Sequence, residues 1–119
     1  MEYSESLKKN KDFQTVYQKG TSFANRYLVM YVLPNQYNKN RLGISVSKKV
    51  GNSVVRHRVT RLIREIYRLN ETVFKTGLDI VVIARPAAKD ITFHEMKRSF
   101  MHLASKHLIC IKKAVSQEK

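Results

Sequence analysis

The sequence is poor in several residues that mark particular protein classes. Its 119 residues include one cysteine, Cys110, two prolines, four glycines and no tryptophan. A single thiol cannot build an internal disulfide framework, which excludes a small disulfide-stabilised secreted domain. No apolar run approaches the roughly 18 to 20 residues that span a bilayer. The first residues, Met1–Glu5, are acidic rather than a basic leader, so we expect a cytoplasmic protein with no membrane partner.

Acidic side chains are scarce as well. Only 9 Asp and Glu stand against 23 Lys and Arg, which gives a formal net charge of +14. A folded domain with this imbalance repels itself unless its partner is a polyanion, and nucleic acid is the commonest one. The hydrophobic fraction of 43% is ordinary for a globular protein. The composition therefore predicts a folded protein that binds nucleic acid.

Patterns for protein-based catalysis are missing too. The four histidines show no metal-ligand spacing: His57, His94, His102 and His107. Cys110 has no partner thiol, the acids Asp12, Asp79 and Asp90 are scattered, and there is no nucleophile elbow or phosphate loop. We therefore expect no catalytic residue and no intrinsic metal or cofactor.

No repeat, low-complexity stretch or linker divides the chain, and its length fits one domain. We predict a single domain over residues 1–119, with loose termini at residues 1–8 and 113–119. Hydrophobic periodicity indicates an α/β fold, with a mixed sheet of about four strands and helices near residues 11–19, 54–69 and 93–112. Asn10 is the predicted N-cap of the first helix, and Gly20 its C-terminal stop.

Three strands are readable from the pattern. The apolar and aromatic run at residues 27–33 is closed by Pro34, and residues 41–47 alternate apolar with polar or small residues. The unbroken apolar run Ile80–Ala84 predicts a central strand covered on both faces. A capping box of Thr92 and Glu95 then starts the last helix. Ile91 and Met96 flank that start, and the apolar stripe of the helix continues through three residues: Phe100, Leu103 and Ile111.

The middle helix has two opposed faces. On a helical wheel, six apolar residues fall within an arc of roughly 120°: Val55, Val59, Leu62, Ile63, Ile66 and Leu69. Four basic residues lie opposite: His57, Arg61, Arg64 and Arg68. Arg56 and Arg58 flank the edges, and Lys48 and Lys49 precede the turn at Gly51. A helix docked by its apolar arc would therefore present a basic surface.

A basic helix face is often only a solvated surface, but such faces usually mix charges of both signs. Here like charges are crowded, and the one ion pair expected to reduce their repulsion joins Arg61 and Glu65. Guanidinium groups suit phosphate because they donate in a planar, bidentate geometry. The amides of residues 51–53 could bind an anion at the helix N-terminus or could simply be capped. Phosphate binding is the interpretation that we favour for the face.

The stretch from Lys48 to Glu65, KKVGNSVVRHRVTRLIRE, resembles the signature motif of the bacterial ribonuclease P protein family. Further matches lie at residues 9–13, at Gly20 with residues 24–26, at residues 41–47 and at residues 83–86. The similarity covers roughly residues 8 to 110. Two positions depart from the family pattern, since His57 stands where Asn is usual and Thr60 where Lys is usual.

The resemblance implies a fold and a function. The fold is an α-β sandwich with a left-handed βαβ crossover through the basic helix, like a domain known from a ribosomal protein. The function is that of the protein subunit of ribonuclease P, which removes the 5′ leader of precursor tRNA while the RNA subunit performs the hydrolysis with Mg²⁺. The implied partners are ribonuclease P RNA and precursor tRNA, and no DNA is expected. The alternative from the charge alone is a structural RNA-binding protein of the ribosomal type.

Two surfaces are predicted, the first from the helical wheel together with the resemblance and the second from the resemblance. The RNA-binding surface comprises nine residues: Lys48, Lys49, Asn52, Arg56, His57, Arg58, Arg61, Arg64 and Arg68. A cleft for the single-stranded leader is lined by Phe13, Tyr17 and Tyr31. Periodicity alone would place these three aromatic residues in the core, but stacking on any base suits a leader that differs from one tRNA to the next.

Overall fold

A mixed sheet forms the centre of the structure, a computed structural model that describes residues 3–111. Its strands are β1 (Ser4–Ser6), β2 (Thr21–Ala24), β3 (Leu28–Pro34), β4 (Asn40–Val46) and β5 (Leu78–Ala84). The spatial order is β1-β4-β5-β3-β2. The pairs β1–β4 and β4–β5 are parallel, whereas β3 runs antiparallel to both β5 and β2. The predicted α/β class with a mixed sheet is confirmed.

Three helices cover the two faces of the sheet: α1 (Asn10–Lys19), α2 (Ser53–Leu69) and α3 (Phe93–Lys106). Side chains of α2 and α3 join the larger core cluster with alternate residues of β3, β4 and β5. Val16 of α1 packs instead with Val81 and Leu7 in a smaller cluster on the other face. Because β5 is buried on both faces, Val81 and its neighbour Val82 are each 0% exposed. The prediction of a central, doubly covered strand is confirmed.

Two strands were not predicted. Residues 4–6 were expected to lie in a loose terminus, but they pair with Asn40–Leu42 as β1. The hydroxyl of Ser4 lies 2.7 Å from that of Tyr67, and Leu7 is buried just beyond the strand. At the opposite edge, β2 pairs with β3 and is mostly exposed. Both strands are short and largely polar, so they lack the apolar pattern by which strands are recognised.

The ends of α1 and α3 also differ from the predictions. Asn10 is the first residue of α1 rather than its cap, and Lys9 precedes it without a side-chain capping bond. Gly20 ends the helix as predicted. The capping box of Thr92 and Glu95 is confirmed. However, α3 ends at Lys106 and not near residue 112, since Leu108 adopts a left-handed conformation with φ 58°.

Beyond α3 the chain forms a bridge with an earlier segment. The amide of Ile111 donates to Val73, the amide of Lys75 donates to Ile109, and Cys110 lies opposite Phe74. Ile111, which was predicted to continue the apolar stripe of α3, is 47% exposed. The predicted loose segment at residues 113–119 lies outside the described residues.

The apolar side of α2 needs one correction. Leu69 was placed in its apolar arc but is exposed in the last turn, whereas Tyr67 is fully buried. The ring of Tyr67 stacks on Phe74, and its hydroxyl accepts a hydrogen bond from Asn40. Burial raises the pKa of Tyr67 above its usual value. A polar tip with buried partners lets tyrosine occupy a core position that a hydrophobicity pattern misses.

The connection from β4 through α2 to β5 joins two adjacent parallel strands, as a βαβ crossover requires. Its left-handed sense stays a prediction of the resemblance. Among residues 3–111, no helix is long and apolar enough to cross a membrane.

Candidate nucleic-acid interface

The opposed faces of α2 form as predicted. Val59, Ile63 and Ile66 are each 0% exposed and hold the helix on the sheet. The residues predicted on the opposite face are all exposed: His57, Arg61, Arg64 and Arg68. Arg56 is half-buried at one edge of the face. The basic surface is therefore carried by a docked helix whose orientation is set by its buried side.

The turn before α2 places further basic residues beside this face. Lys48 and Lys49 are exposed, and the buried side chain of Val50 anchors the turn that carries them. Asn52 is the N-cap, since its side-chain oxygen accepts a hydrogen bond of 3.0 Å from the amide of Val55. The capping interpretation of the turn is thus confirmed. Both lysines have no side-chain partner among the described residues.

Arg58, one of the predicted site residues, is engaged within the protein. Its guanidinium group donates to the carbonyl oxygen of Lys89 at 3.3 Å and also to that of Ile91. These carbonyls lie in the connection between β5 and α3. Arg58 therefore ties α2 to the start of α3, and part of its hydrogen-bonding capacity is used there.

Glu65 does not pair with Arg61 as predicted. It pairs with Arg68, whose Nη2 lies 2.7 Å and Nε 3.0 Å from the carboxylate oxygens of Glu65. This bidentate contact holds the pKa of Glu65 below its usual value and raises the pKa of Arg68. Arg61 and Arg64 form no side-chain hydrogen bond or ion pair within residues 3–111. These two arginines are therefore available to an outside anion.

The three predicted cleft aromatics meet on the other face of the sheet. The ring of Tyr17 lies edge-on to that of Tyr31, with centroids 5.1 Å apart, and is tilted against Phe13 at 6.3 Å. All three side chains are half-buried. They pack on the smaller core cluster around Val16. The structure therefore brings Phe13, Tyr17 and Tyr31 together, and each of the three residues is partly exposed.

The floor of this cleft requires a glycine. A Cβ atom at Gly43 of β4 would lie only 2.7 Å from the Phe13 ring, so the ring approaches the strand closely because no side chain is present. Burial raises the pKa of Tyr17, which keeps its phenol neutral at physiological pH. The cleft therefore offers neutral aromatic surface rather than charge.

An ion-pair network that the sequence did not predict fixes α1 beside the cleft. Arg41 binds Asp79 through two hydrogen bonds of 2.8 and 2.7 Å and lies 3.5 Å from the carboxylate of Asp12 in α1. Asp79 is 4% exposed and also accepts from Asn35. The hydrogen bonds with Asp79 raise the pKa of Arg41. Asp12 and Asp79 looked scattered along the sequence because their common partner lies in β4.

No group of three His, Cys, Asp or Glu side chains converges to hold a metal ion within the described part of the chain. His102 lies 3.2 Å from the side-chain amide of Asn25, and His107 donates to the carbonyl of Met30 at 2.8 Å.

The basic α2 face and the aromatic cleft lie on opposite faces of the sheet, and β4 contributes to both. Gly43 faces the cleft, whereas its neighbour Ile44 packs toward α2. An α/β domain with a basic surface on one face of its sheet and a partly exposed aromatic cluster on the other is typical of nucleic-acid-binding proteins.

Comparison with known proteins identifies the family. The family model described as Ribonuclease P matches residues 1–108. The ribonuclease P protein component of Lachnoclostridium phytofermentans is 59% identical over 106 residues, covering 89% of this chain and 91% of that protein. The RNase P protein structure from Staphylococcus aureus aligns with a TM-score of 0.83 at 42% identity, covering 88% and 96% of the two chains. The RNase P protein structure from Thermotoga maritima aligns with a TM-score of 0.79 at 31% identity, covering 85% of this chain and 96% of that one. The chain belongs to the ribonuclease P protein family.

Membership confirms the resemblance recognised in the stretch from Lys48 to Glu65. It places the chain in a tRNA-processing endoribonuclease as the protein component, and it implies an RNA partner in the holoenzyme. A structural RNA-binding protein without a processing role is not favoured.

Proposed function

We propose that the chain binds the catalytic RNA of ribonuclease P through the basic face of α2 and binds the 5′ leader of precursor tRNA in the cleft beside α1. The RNA subunit hydrolyses the phosphodiester with Mg²⁺ that the RNA itself holds. The protein supplies cations and aromatic surface, and it acts in the cytoplasm, where precursor tRNA is processed. The observation that carries the proposal is a pair of exposed arginines, Arg61 and Arg64, that have no partner within residues 3–111 and lie on a helix whose other side is buried.

Electrostatics gives the α2 face its role. Catalytic RNA and precursor tRNA are both polyanions, so their association brings phosphates together at an unfavourable energy. Arg61 and Arg64, with Lys48 and Lys49 at the preceding turn, offer four cations without an internal partner among the described residues. Arg56 lies at the edge of the same face. These side chains offset the repulsion without contributing a reactive group.

Stacking gives the cleft its role. Phe13, Tyr17 and Tyr31 present partly open rings on a floor that Gly43 keeps free of side chains. A stacked base gains roughly 1 to 3 kcal/mol whatever its identity. The cleft therefore favours a single strand of variable sequence, which describes the leader, and it gives no advantage to mature tRNA from which the leader has been removed.

Reconstitution tests the proposal. The chain is combined with a bacterial ribonuclease P RNA, and the rate of precursor tRNA cleavage is measured at low Mg²⁺ with and without the protein. We expect strong stimulation at low Mg²⁺ and a smaller effect at high Mg²⁺, where the metal ion itself screens phosphate repulsion. Binding of the RNA without any stimulation of cleavage would contradict the proposed function.

A further inference from the structure

A groove runs between α2 and the end of β4. Ile44 and Val46 of β4 form its apolar side. The α2 residues Arg56, Thr60 and Arg64 line the other side, spaced four residues apart so that they follow one stripe of the helix. The groove has a volume of about 540 Å³, within the roughly 300 to 1,000 Å³ of ligand-binding clefts. It is a concave site beside the exposed phosphate-binding face.

The strand edge beside this groove is uncovered. On its outer side β4 pairs with β1 only at residues 40–42, while its inner side pairs with β5 through Val46. On the outer edge of residues 43–46, no strand among the described residues pairs with the backbone. Unpaired backbone amides and carbonyls at a sheet edge are ready hydrogen-bonding partners. The groove thus combines apolar surface with donors and acceptors.

Arg56 adds a second, independent observation. Its Nε atom is buried and has no hydrogen-bond partner within the part of the chain that the structure describes. A buried donor without a partner costs free energy, so it marks a place where an outside acceptor would be favourable. Arg56 lines the groove. An acceptor that binds in the groove and turns the Arg56 side chain toward itself would satisfy this donor.

Thr60 and His57 also line the groove. Thr60 is short and uncharged, so it adds no cation between Arg56 and Arg64. His57 is exposed and carries a flat aromatic ring. Histidine rings stack on unpaired RNA bases. The groove therefore offers an aromatic ring and an uncharged position between two arginines, which suits a planar, uncharged group.

We propose that the groove between α2 and β4 binds one unpaired base of the partner RNA. The base packs against Ile44 and Val46, the ring of His57 stacks on it, and Arg56 donates to its acceptor atoms, while Arg61 and Arg64 hold the adjoining phosphates. The α2 surface then recognises an unpaired nucleotide at a fixed point as well as the charge of the backbone. This inference rests on the proposed RNA-binding function and specifies what the same surface recognises.

The test separates base contacts from phosphate contacts by their salt dependence. Affinity of the full chain for ribonuclease P RNA is measured at several salt concentrations, for the wild type and for Thr60→Trp, which fills the groove. Losing a base contact lowers affinity by about tenfold, and it leaves the slope of log affinity against log salt unchanged because no phosphate contact is lost. Leu69→Trp, at an exposed position outside the groove, is the control and should bind as the wild type does.

A pair of His57 variants tests the stacking contact. His57→Phe keeps a flat ring and should lose less affinity than His57→Ala, which should lose several-fold affinity with the slope of log affinity against log salt unchanged. Equal losses in the two variants would overturn the stacking contact. Base-specific chemical footprinting of the RNA with wild-type protein should show one unpaired base protected, and that protection should vanish with Thr60→Trp.

Other outcomes decide between the inference and the function on which it rests. Wild-type affinity for Thr60→Trp, a loss that comes with a reduced slope, or no protected base in the wild-type complex would each overturn base binding in the groove. The proposed function would survive any of these results, because it fails only if wild-type protein does not stimulate precursor tRNA cleavage. Circular dichroism of Thr60→Trp checks its fold, and footprinting with the wild type decides the matter should that variant not fold.

Discussion

Tyr17 of α1 and Tyr31 of β3 meet edge to face, with ring centroids 5.1 Å apart and ring planes at 66°. This geometry is favourable for aromatic pairs because the positive edge of one ring meets the negative face of the other. Each ring therefore restrains the other while part of both remains exposed. A cleft whose aromatic residues are fixed in advance loses less entropy when a strand binds.

Replacement of Tyr31 tests the cleft. Tyr31→Ala removes the ring that supports Tyr17, and we expect the reconstituted holoenzyme to bind leader-bearing precursor tRNA about tenfold more weakly. Affinity for mature tRNA should stay nearly unchanged. The matched control is Tyr31→Phe, which keeps the ring and should bind as the wild type does. Equal losses for precursor and mature tRNA would show that the cleft does not hold the leader.

The α2 face offers a comparison between a free and a paired arginine. Arg64 has no partner among the described residues, whereas the donors of Arg68 are occupied by Glu65. We expect Arg64→Ala to reduce the slope of log affinity for the RNA against log salt by about 1, and Arg68→Ala to reduce it less. The measurement is a salt titration of each variant. Identical slopes for the two variants would mean that the Glu65 pair opens when RNA binds.

Arg58 is expected to contribute to stability. Its guanidinium group binds the carbonyls of Lys89 and Ile91, and Arg58→Ala would leave these acceptors without their partner. The expected loss is about 1 kcal/mol in the free energy of unfolding, measured by urea denaturation. Arg61→Ala removes the same kind of side chain from a position that has no partner in the described part of the chain, and it should leave stability nearly unchanged. A stable Arg58→Ala protein with reduced RNA affinity would instead assign this residue wholly to the RNA interface.

His107 gives the fold a pH dependence with a definite sign. Burial lowers the pKa of His107 below its ordinary value of 6.5, although the hydrogen bond with the Met30 carbonyl partly opposes this shift. The unfolded chain therefore takes up a proton first as the pH falls below about 6.5, and stability is lost in that range. We expect the urea concentration at the midpoint of unfolding to decrease as the pH is lowered from about 7.5 to about 5.5.

A variant isolates this contribution. His107→Gln keeps a donor for the Met30 carbonyl but does not titrate, so its midpoint should stay level over the same interval. The carboxylates with lowered pKa, Glu5, Glu65 and Glu95, start from 4.5 and so lose their contributions only at lower pH. If the urea midpoint of His107→Gln decreased with falling pH as steeply as that of the wild type, the pH dependence of stability would belong to another group.

The elements that the sequence predicted well have strong local signals. The two-faced pattern of α2, the capping box at Thr92 and the apolar run at Ile80–Ala84 each depend on residues close together in the chain. The C-terminal end of α3 was placed too late because it depends on a left-handed Leu108, and leucine gives no sign of that conformation.

Contacts between residues far apart in the chain could not be predicted from the sequence. Arg41 joins Asp12 and Asp79 only after β4, α1 and β5 have assembled, and Tyr67 is buried because Asn40 and Ser4 meet its hydroxyl. The aromatic cleft was expected from the family resemblance, whereas periodicity alone placed its residues in the core. The partners of Glu65 and Arg58 were decided by side-chain geometry, which spacing along a helix does not fix.

The most direct test of the account is the salt dependence of wild-type affinity for ribonuclease P RNA. We propose that the α2 face acts through phosphate contacts, and if about six phosphates are neutralised, affinity should fall by roughly a thousandfold between about 50 and 200 mM salt. The measurement is a binding titration at several salt concentrations. A thousandfold fall would support the account, and an affinity that stays level over this range would contradict it.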